Sequence, residues 1–169
     1  MTFFSVGLLG GAATSGLVVW LASGLTTPIP WPWRVALVLL VAVVAVLRDV
    51  GLVRIRLPQN ARQIPQEVLR DHLVRGALQF GFELGTGVRT YVSASAPYAL
   101  AAAVLLVGQP FSVAMLAAVG FGIGRALTPL LRCASQAGER WDALMQRRLS
   151  TVTVLCSAAL AVAFGLLLW

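Results

Sequence analysis

The chain has 169 residues, of which 59% are hydrophobic and only 11% are charged. A soluble domain has about a quarter of its residues charged, so this composition excludes an ordinary soluble protein and predicts an all-α polytopic membrane protein surrounded by the lipid bilayer. The net charge of +7 comes from 13 arginines and 6 acidic residues, without lysine. Arginines collect in the cytoplasmic loops of membrane proteins, and we prefer this interpretation to a nucleic acid partner.

Four apolar segments predict membrane spans. A span needs about 20 apolar residues, and apolar runs of about this length occupy residues 3–24, 33–50, 111–131 and 150–169. The first run lacks the positively charged start of a signal peptide and is longer than a signal-peptide core, so we expect it to be retained.

A fifth segment, residues 77–107, is predicted to be a broken helix. The stretch Gly76–Val107, drawn as one straight helix, would be roughly 48 Å long, against a hydrocarbon core of about 30 Å. Pro97 and the glycines at positions 81, 85 and 87 offer places for a break. We therefore expect a half-helix or re-entrant piece over residues 77–92, followed by a span from about Pro97. Two full crossings are the alternative.

Two arginine-rich loops predict the orientation. Residues 48–75 hold six arginines and residues 132–148 hold four. Both loops can lie in the cytoplasm only if residues 77–107 make one net crossing. This gives about five spans in a single membrane domain over residues 1–169, with a cytoplasmic N-terminus. The arginine-only, Ala- and Val-rich composition is typical of a GC-rich genome, and we expect the plasma (inner) membrane of a bacterium.

Two short segments predict a weak internal repeat. FSVGLL at residues 4–9 resembles FSVAML at residues 111–116. In the predicted topology the spans that they open run in opposite directions, as inverted repeats do. Chance similarity within a biased composition is the alternative.

Polar residues within residues 80–98 predict a contact site. A charged side chain at the bilayer centre costs about 2.5–3.5 kcal/mol on insertion scales, so such residues usually face the bundle interior and pair. Glu83, Thr86 and Thr90 share one helix face by their spacing, and a break at the glycines would bring Glu83 to Arg89. We predict that Arg89 contacts an anion, with Glu83 as its counter-ion or as a proton carrier. The alternative is that Glu83 caps or pairs with Arg75 near the interface while Arg89 snorkels.

Arg125 is the fifth candidate contact residue. It follows the sequence GFGIG, whose glycines at positions 120, 122 and 124 permit close helix contact. We favour snorkelling of Arg125 together with ordinary small-residue packing. The alternative is that Arg125 and Arg89 approach one contact site from two broken helices.

Catalytic, metal and cofactor sites are not expected. His72 is the only histidine, and Cys133 and Cys156 form no CxxC pair. No nucleotide-binding motif or zinc signature is present in the sequence. A redox pair of the two cysteines stays open as an alternative to two unrelated small residues.

The Gly-rich segment that leads through Tyr91 to APYALAAAVLL resembles the opening broken helix of the cytochrome c biogenesis and DsbD-type membrane proteins. These proteins carry electrons between thiols across the membrane. The resemblance covers residues 76–106 and implies a broken-helix architecture. The family places a cysteine before the proline, whereas Ala96 precedes Pro97 here, so no thiol chemistry and no active residue is carried over.

Two functional classes follow from these features. The small size and the absence of motifs favour a non-catalytic integral membrane subunit that assembles with other membrane polypeptides. The polar broken segment favours a small translocator of an anionic or polar solute, for which we expect a homo-oligomer. A membrane enzyme or a thiol redox carrier is the least favoured class.

Overall fold

The computed structural model describes residues 2–55, 57, 73–87, 94–136 and 138–168. Of these residues 88% are helical and none lies in a β-strand, which confirms the predicted all-α class. The helices in chain order are α1 (Thr2–Ser23), a short 3-10 helix (Gly24–Thr26), α2 (Trp31–Val50), α3 (Leu73–Thr86), α4 (Ala96–Val107), α5 (Phe111–Ser135) and α6 (Gly138–Leu168).

Three helical segments among the described residues are long and apolar enough to cross a membrane. They are residues Thr2–Thr26, Phe111–Ser135 and Gly138–Leu168. The predicted spans 3–24, 111–131 and 150–169 therefore coincide with such segments. The full count of about five is not confirmed. Arg34 and Arg48 limit the uncharged run of α2 to residues 35–47, and α4 is apolar but only 12 residues long.

Within the segment 77–107, for which the sequence predicts a broken helix, the described residues form two separate helices. Helix α3 ends at Thr86, and Gly87 follows with a φ of 69°, a left-handed conformation that favours glycine. Helix α4 begins at Ala96, so that Pro97 occupies its first turn, where the missing N–H of proline costs no hydrogen bond.

The second arginine-rich segment is mostly helical, although the sequence predicts a loop there. Residues 132–135 complete α5, and residues 138–148 form the first three turns of α6. The physical reason is that this segment is rich in Ala, Leu, Arg, Glu and Gln, which favour helix, and contains no proline.

The chain divides into two compact units, and the first contains α3, α5 and most of α1. Helices α1 and α3 run parallel and touch through backbone atoms. A Cβ atom built on any of four glycines, two on each helix, would lie 2.0–2.2 Å from a carbonyl oxygen of the other helix. These glycines are Gly7 and Gly11 on α1 and Gly81 and Gly85 on α3. Two GxxxG patterns therefore face each other, as in closely packed membrane helices.

Helix α5 runs antiparallel to α1 in this unit. A Cβ atom on Gly16 would lie 2.4 Å from the Cβ of Ala118, and a Cβ atom on Gly122 would lie 3.0 Å from the Cβ of Ala12. The opposite directions expected for the two similar segments are therefore present. Gly122 makes the predicted close contact, whereas Gly120 and Gly124 have no described atom within 4 Å of a built Cβ.

The second unit contains α2, α4 and nearly all of α6. On α2 and α4 its core residues recur at i, i+3 or i, i+4 spacing, which places them on one face of each helix. They are Val38, Ala42 and Ala45 of α2, Ala99, Ala103 and Val107 of α4, and Phe164 of α6. Helices α2 and α4 are antiparallel, because Asp49 at the end of α2 contacts Ser95 before the start of α4.

Candidate functional site

Glu83 and Thr86, two of the predicted contact residues, lie on the last turn of α3. The half-buried Glu83 accepts a hydrogen bond at Oε1 from Gln79 Nε2 at 3.2 Å. The Thr86 hydroxyl donates to the Glu83 carbonyl oxygen at 2.8 Å. The two polar residues are thus linked to each other and to Gln79 within one helix.

The carboxyl end of α3 contacts α1 and α5 in the first unit. Ser15 Oγ of α1 donates to the Thr86 carbonyl oxygen at 3.0 Å, one of the carbonyls that a helix end leaves without an intrahelical partner. Beyond it, a Cβ on Gly87 would lie 3.5 Å from Cζ of Phe121. Ser15 and Phe121 were not predicted from the sequence. A hydroxyl one turn after a GxxxG pattern is the signal that points to Ser15.

Arg125 lies one turn after Phe121 on α5. Its guanidinium carbon is 5.6 Å from the centre of the Phe121 ring, which is a cation–π distance. Arg125 is half-buried, so the aromatic ring covers part of a cation that an apolar helix would otherwise present to lipid. Phe121 therefore links Arg125 to the end of α3.

Arg89 and Thr90, the other two predicted contact residues, lie outside the described residues. The pairing of Glu83 with Arg89 and the approach of Arg89 to Arg125 stay predictions. The structure places the remaining three, Glu83, Thr86 and Arg125, in one unit, with Phe121 beside both the end of α3 and Arg125.

A polar cluster in the second unit was not predicted. The Asp49 side chain is 1% exposed, and its carboxylate forms a 2.9 Å ion pair with Nη1 of Arg48. The same carboxylate accepts hydrogen bonds from the backbone N–H of Ser95 at 3.0 Å and from its hydroxyl at 2.7 Å. Arg48 Nη1 also donates to Ser95 Oγ at 3.0 Å. This cluster joins the end of α2 to the start of α4.

The position of Asp49 has a physical explanation. A negative charge near the N-terminus of a helix is stabilised by the helix dipole and by N–H groups that lack an intrahelical partner. Asp49 occupies that position at α4, although it belongs to α2. The sequence signal for this cluster is an acid beside Arg48 at the end of an apolar run, where the sequence predicts an arginine-rich loop.

Within residues 2–55, 57, 73–87, 94–136 and 138–168, no three His, Cys, Asp or Glu side chains lie together in a way that could hold a metal ion. Cys133 and Cys156 are both exposed, and neither forms a disulfide. A redox pair of these cysteines stays an alternative to two unrelated small residues.

The chain was compared with known protein families, with curated proteins and with solved structures. No family, no curated protein and no solved structure matches it. The resemblance to the cytochrome c biogenesis and DsbD-type family therefore stays a prediction.

Proposed function

We propose that the chain is a non-catalytic integral membrane subunit whose helices assemble side by side with other membrane polypeptides. The observation that carries this proposal is the low burial of the three apolar helices within the chain. Only 22%, 22% and 11% of their most apolar stretches are buried, in chain order. Most of the surface of α6, in particular, is available to neighbours outside the chain.

The exposed face of α5 favours a polypeptide neighbour over lipid alone. Lipid chains cover a leucine as well as another helix does, so exposed leucines do not discriminate. Gly120 and Gly124, however, form a GxxxG pair with open space beyond both positions. Such pairs let a second backbone approach closely, as the equally spaced glycines of α1 and α3 do within this chain.

The proposal includes about five net spans and a cytoplasmic N-terminus in a bacterial inner membrane. The arginine distribution supports one net crossing by residues 77–107, because the two arginine-rich segments then lie on the cytoplasmic side, as the positive-inside rule expects.

Native mass spectrometry after gentle detergent extraction tests the proposal. We expect the wild-type chain to be recovered in a stoichiometric complex with other polypeptides. The Gly124→Leu variant should lose those polypeptides, because a side chain would fill the space beyond α5. Gly24→Leu in the short 3-10 helix is the matched control, since it also meets open space but lies outside α1, α5 and α6. Recovery of the wild-type chain alone, or as a homo-oligomer only, would contradict the subunit proposal.

A small translocator of an anionic or polar solute is the second candidate. It is supported by the polar contacts around the end of α3, where Glu83, Thr86 and Ser15 are linked within the first unit. If this function holds, Glu83→Gln should abolish solute uptake into proteoliposomes and leave assembly intact. Glu139→Gln, the same charge change at the exposed start of α6, should leave uptake unchanged. Release of the Glu83→Gln chain from a complex would instead favour the subunit.

A further inference from the structure

A groove of about 430 Å³ lies on the outer surface of the first unit, between α1 and α3. Its walls are the apolar side chains of Val6, Leu78 and Phe82, and Val6 and Phe82 are 58% and 41% exposed. Arg75 and Gln79 provide its polar lining. The groove therefore combines an apolar trough with one cationic side chain.

Two glycines of α1 explain why the groove exists. Gly7 brings the helices together, because a Cβ there would lie 2.2 Å from the Leu78 carbonyl oxygen. Gly10 also lines the groove, and the atom nearest to a Cβ there would be Cδ2 of Phe82, at 3.9 Å. Because Gly10 has no side chain, the space between it and Phe82 stays open, and this space is part of the groove.

The cation lies in the first turn of α3, which spans Leu73–Thr86. Arg75 is exposed, and none of the hydrogen bonds or ion pairs found among the described residues joins it to a carboxylate. Phe82 is seven residues further along α3, or about 10 Å at 1.5 Å per residue. The charge and the far end of the apolar trough are thus separated along the helix, as a headgroup and an acyl chain are separated in a lipid.

We propose that this groove binds one anionic phospholipid, whose phosphate pairs with Arg75 and whose acyl chain lies between α1 and α3. Charge complementarity selects an anionic headgroup, since the chain carries a net charge of +7 and the described residues that line the groove include an arginine and no acidic residue. The apolar lining selects a lipid over a free phosphate, because inorganic phosphate gains nothing from Val6, Leu78 and Phe82.

Native mass spectrometry of the purified full chain with added phosphatidylglycerol or phosphatidylcholine tests whether the charge of Arg75 selects an anionic lipid. One juxtamembrane arginine contributes about 1 kcal/mol of attraction to anionic lipid, so we expect about a fivefold preference of the wild type for phosphatidylglycerol. Arg75→Gln should remove that preference. Arg54→Gln, the same charge change in the second unit, should keep it. If Arg75→Gln and Arg54→Gln lost this lipid preference equally, the result would overturn the proposed site and indicate a general effect of net charge.

The groove itself is tested with Gly10→Leu, whose side chain enters the trough without meeting backbone. We expect this variant to bind both lipids several-fold more weakly at unchanged helicity by circular dichroism. Gly165→Leu should bind as the wild type does. Unchanged lipid binding by Gly10→Leu would overturn the proposal. Displacement of phosphatidylglycerol by millimolar inorganic phosphate would also overturn it, because it would identify a free-anion site.

Discussion

Replacing Gly81 with alanine perturbs the contact between α1 and α3 directly. The added Cβ would lie 2.2 Å from the Phe4 carbonyl oxygen and 3.0 Å from the Leu8 nitrogen. Ordinary contacts of a Cβ atom begin at 3.4 Å, so the two helices must separate by roughly 1.2 Å, and a helix carbonyl cannot rotate away as a side chain can. The change therefore affects the whole interface.

The expected magnitude follows from two opposing terms. Overpacking costs about 1–3 kcal/mol, and we expect the upper end, because separation also weakens the contacts at Gly7, Gly11 and Gly85. Alanine is the better helix former by about 1 kcal/mol, which offsets part of this cost. The net loss in the free energy of unfolding should be about 2 kcal/mol. Gly120→Ala meets no atom within 4 Å, so it should be neutral or stabilise by up to about 1 kcal/mol.

The measurement is unfolding of the purified chain in mixed micelles, with SDS as denaturant and loss of helical circular dichroism as the signal. Gly81→Ala should unfold at a clearly lower SDS fraction than both the wild type and Gly120→Ala. If Gly81→Ala unfolded at the same SDS fraction as Gly120→Ala, the result would refute backbone contact between α1 and α3.

The polar cluster and the cysteines provide the remaining predictions. Asp49→Ala should lower the free energy of unfolding by about 3 kcal/mol, because it leaves the partly buried Arg48 without its carboxylate. Ser95→Ala should cost about 1–2 kcal/mol, since it removes hydrogen bonds but keeps the ion pair. The same SDS titration measures both, and equal costs would contradict the assigned role of the carboxylate. Cys133, exposed near the end of α5, should react fully with a water-soluble maleimide in the folded protein, as read by intact mass. Cys156 should react much more slowly, because lipid or detergent covers its exposed position in the apolar part of α6. Equally fast reaction of both thiols would contradict the membrane position of α6.

The local features of the fold were predictable because each depends on residues that are close together in the chain. The length of apolar runs predicted α1, α5 and the membrane part of α6. Pro97 and Gly87 predicted the interruption between α3 and α4, since neither residue favours the interior of a helix. The continuation of helix through residues 138–148 was missed, because arginines were taken as a sign of a loop although they are good helix formers.

The candidate site was predictable only in part. Glu83, Thr86 and Arg125 were identified as polar residues in apolar surroundings, which is a property of the sequence. Their partners, Ser15 and Phe121, were not identified, because they come from helices that are distant in the chain. Asp49 was missed for the same reason, since its Ser95 partners belong to the start of α4.

The sequence by itself determined that this protein is a helical, apolar, arginine-rich chain, and it predicted an interruption within residues 77–107. Composition and local backbone preferences are enough for those conclusions. Only the tertiary structure decided which of its glycines bring helices together. Gly7, Gly11, Gly81 and Gly85 meet a neighbouring backbone, whereas Gly120 and Gly124 face open space. The same GxxxG spacing occurs in all three pairs, and what distinguishes them is which helix faces are packed against each other, which is a property of the folded chain.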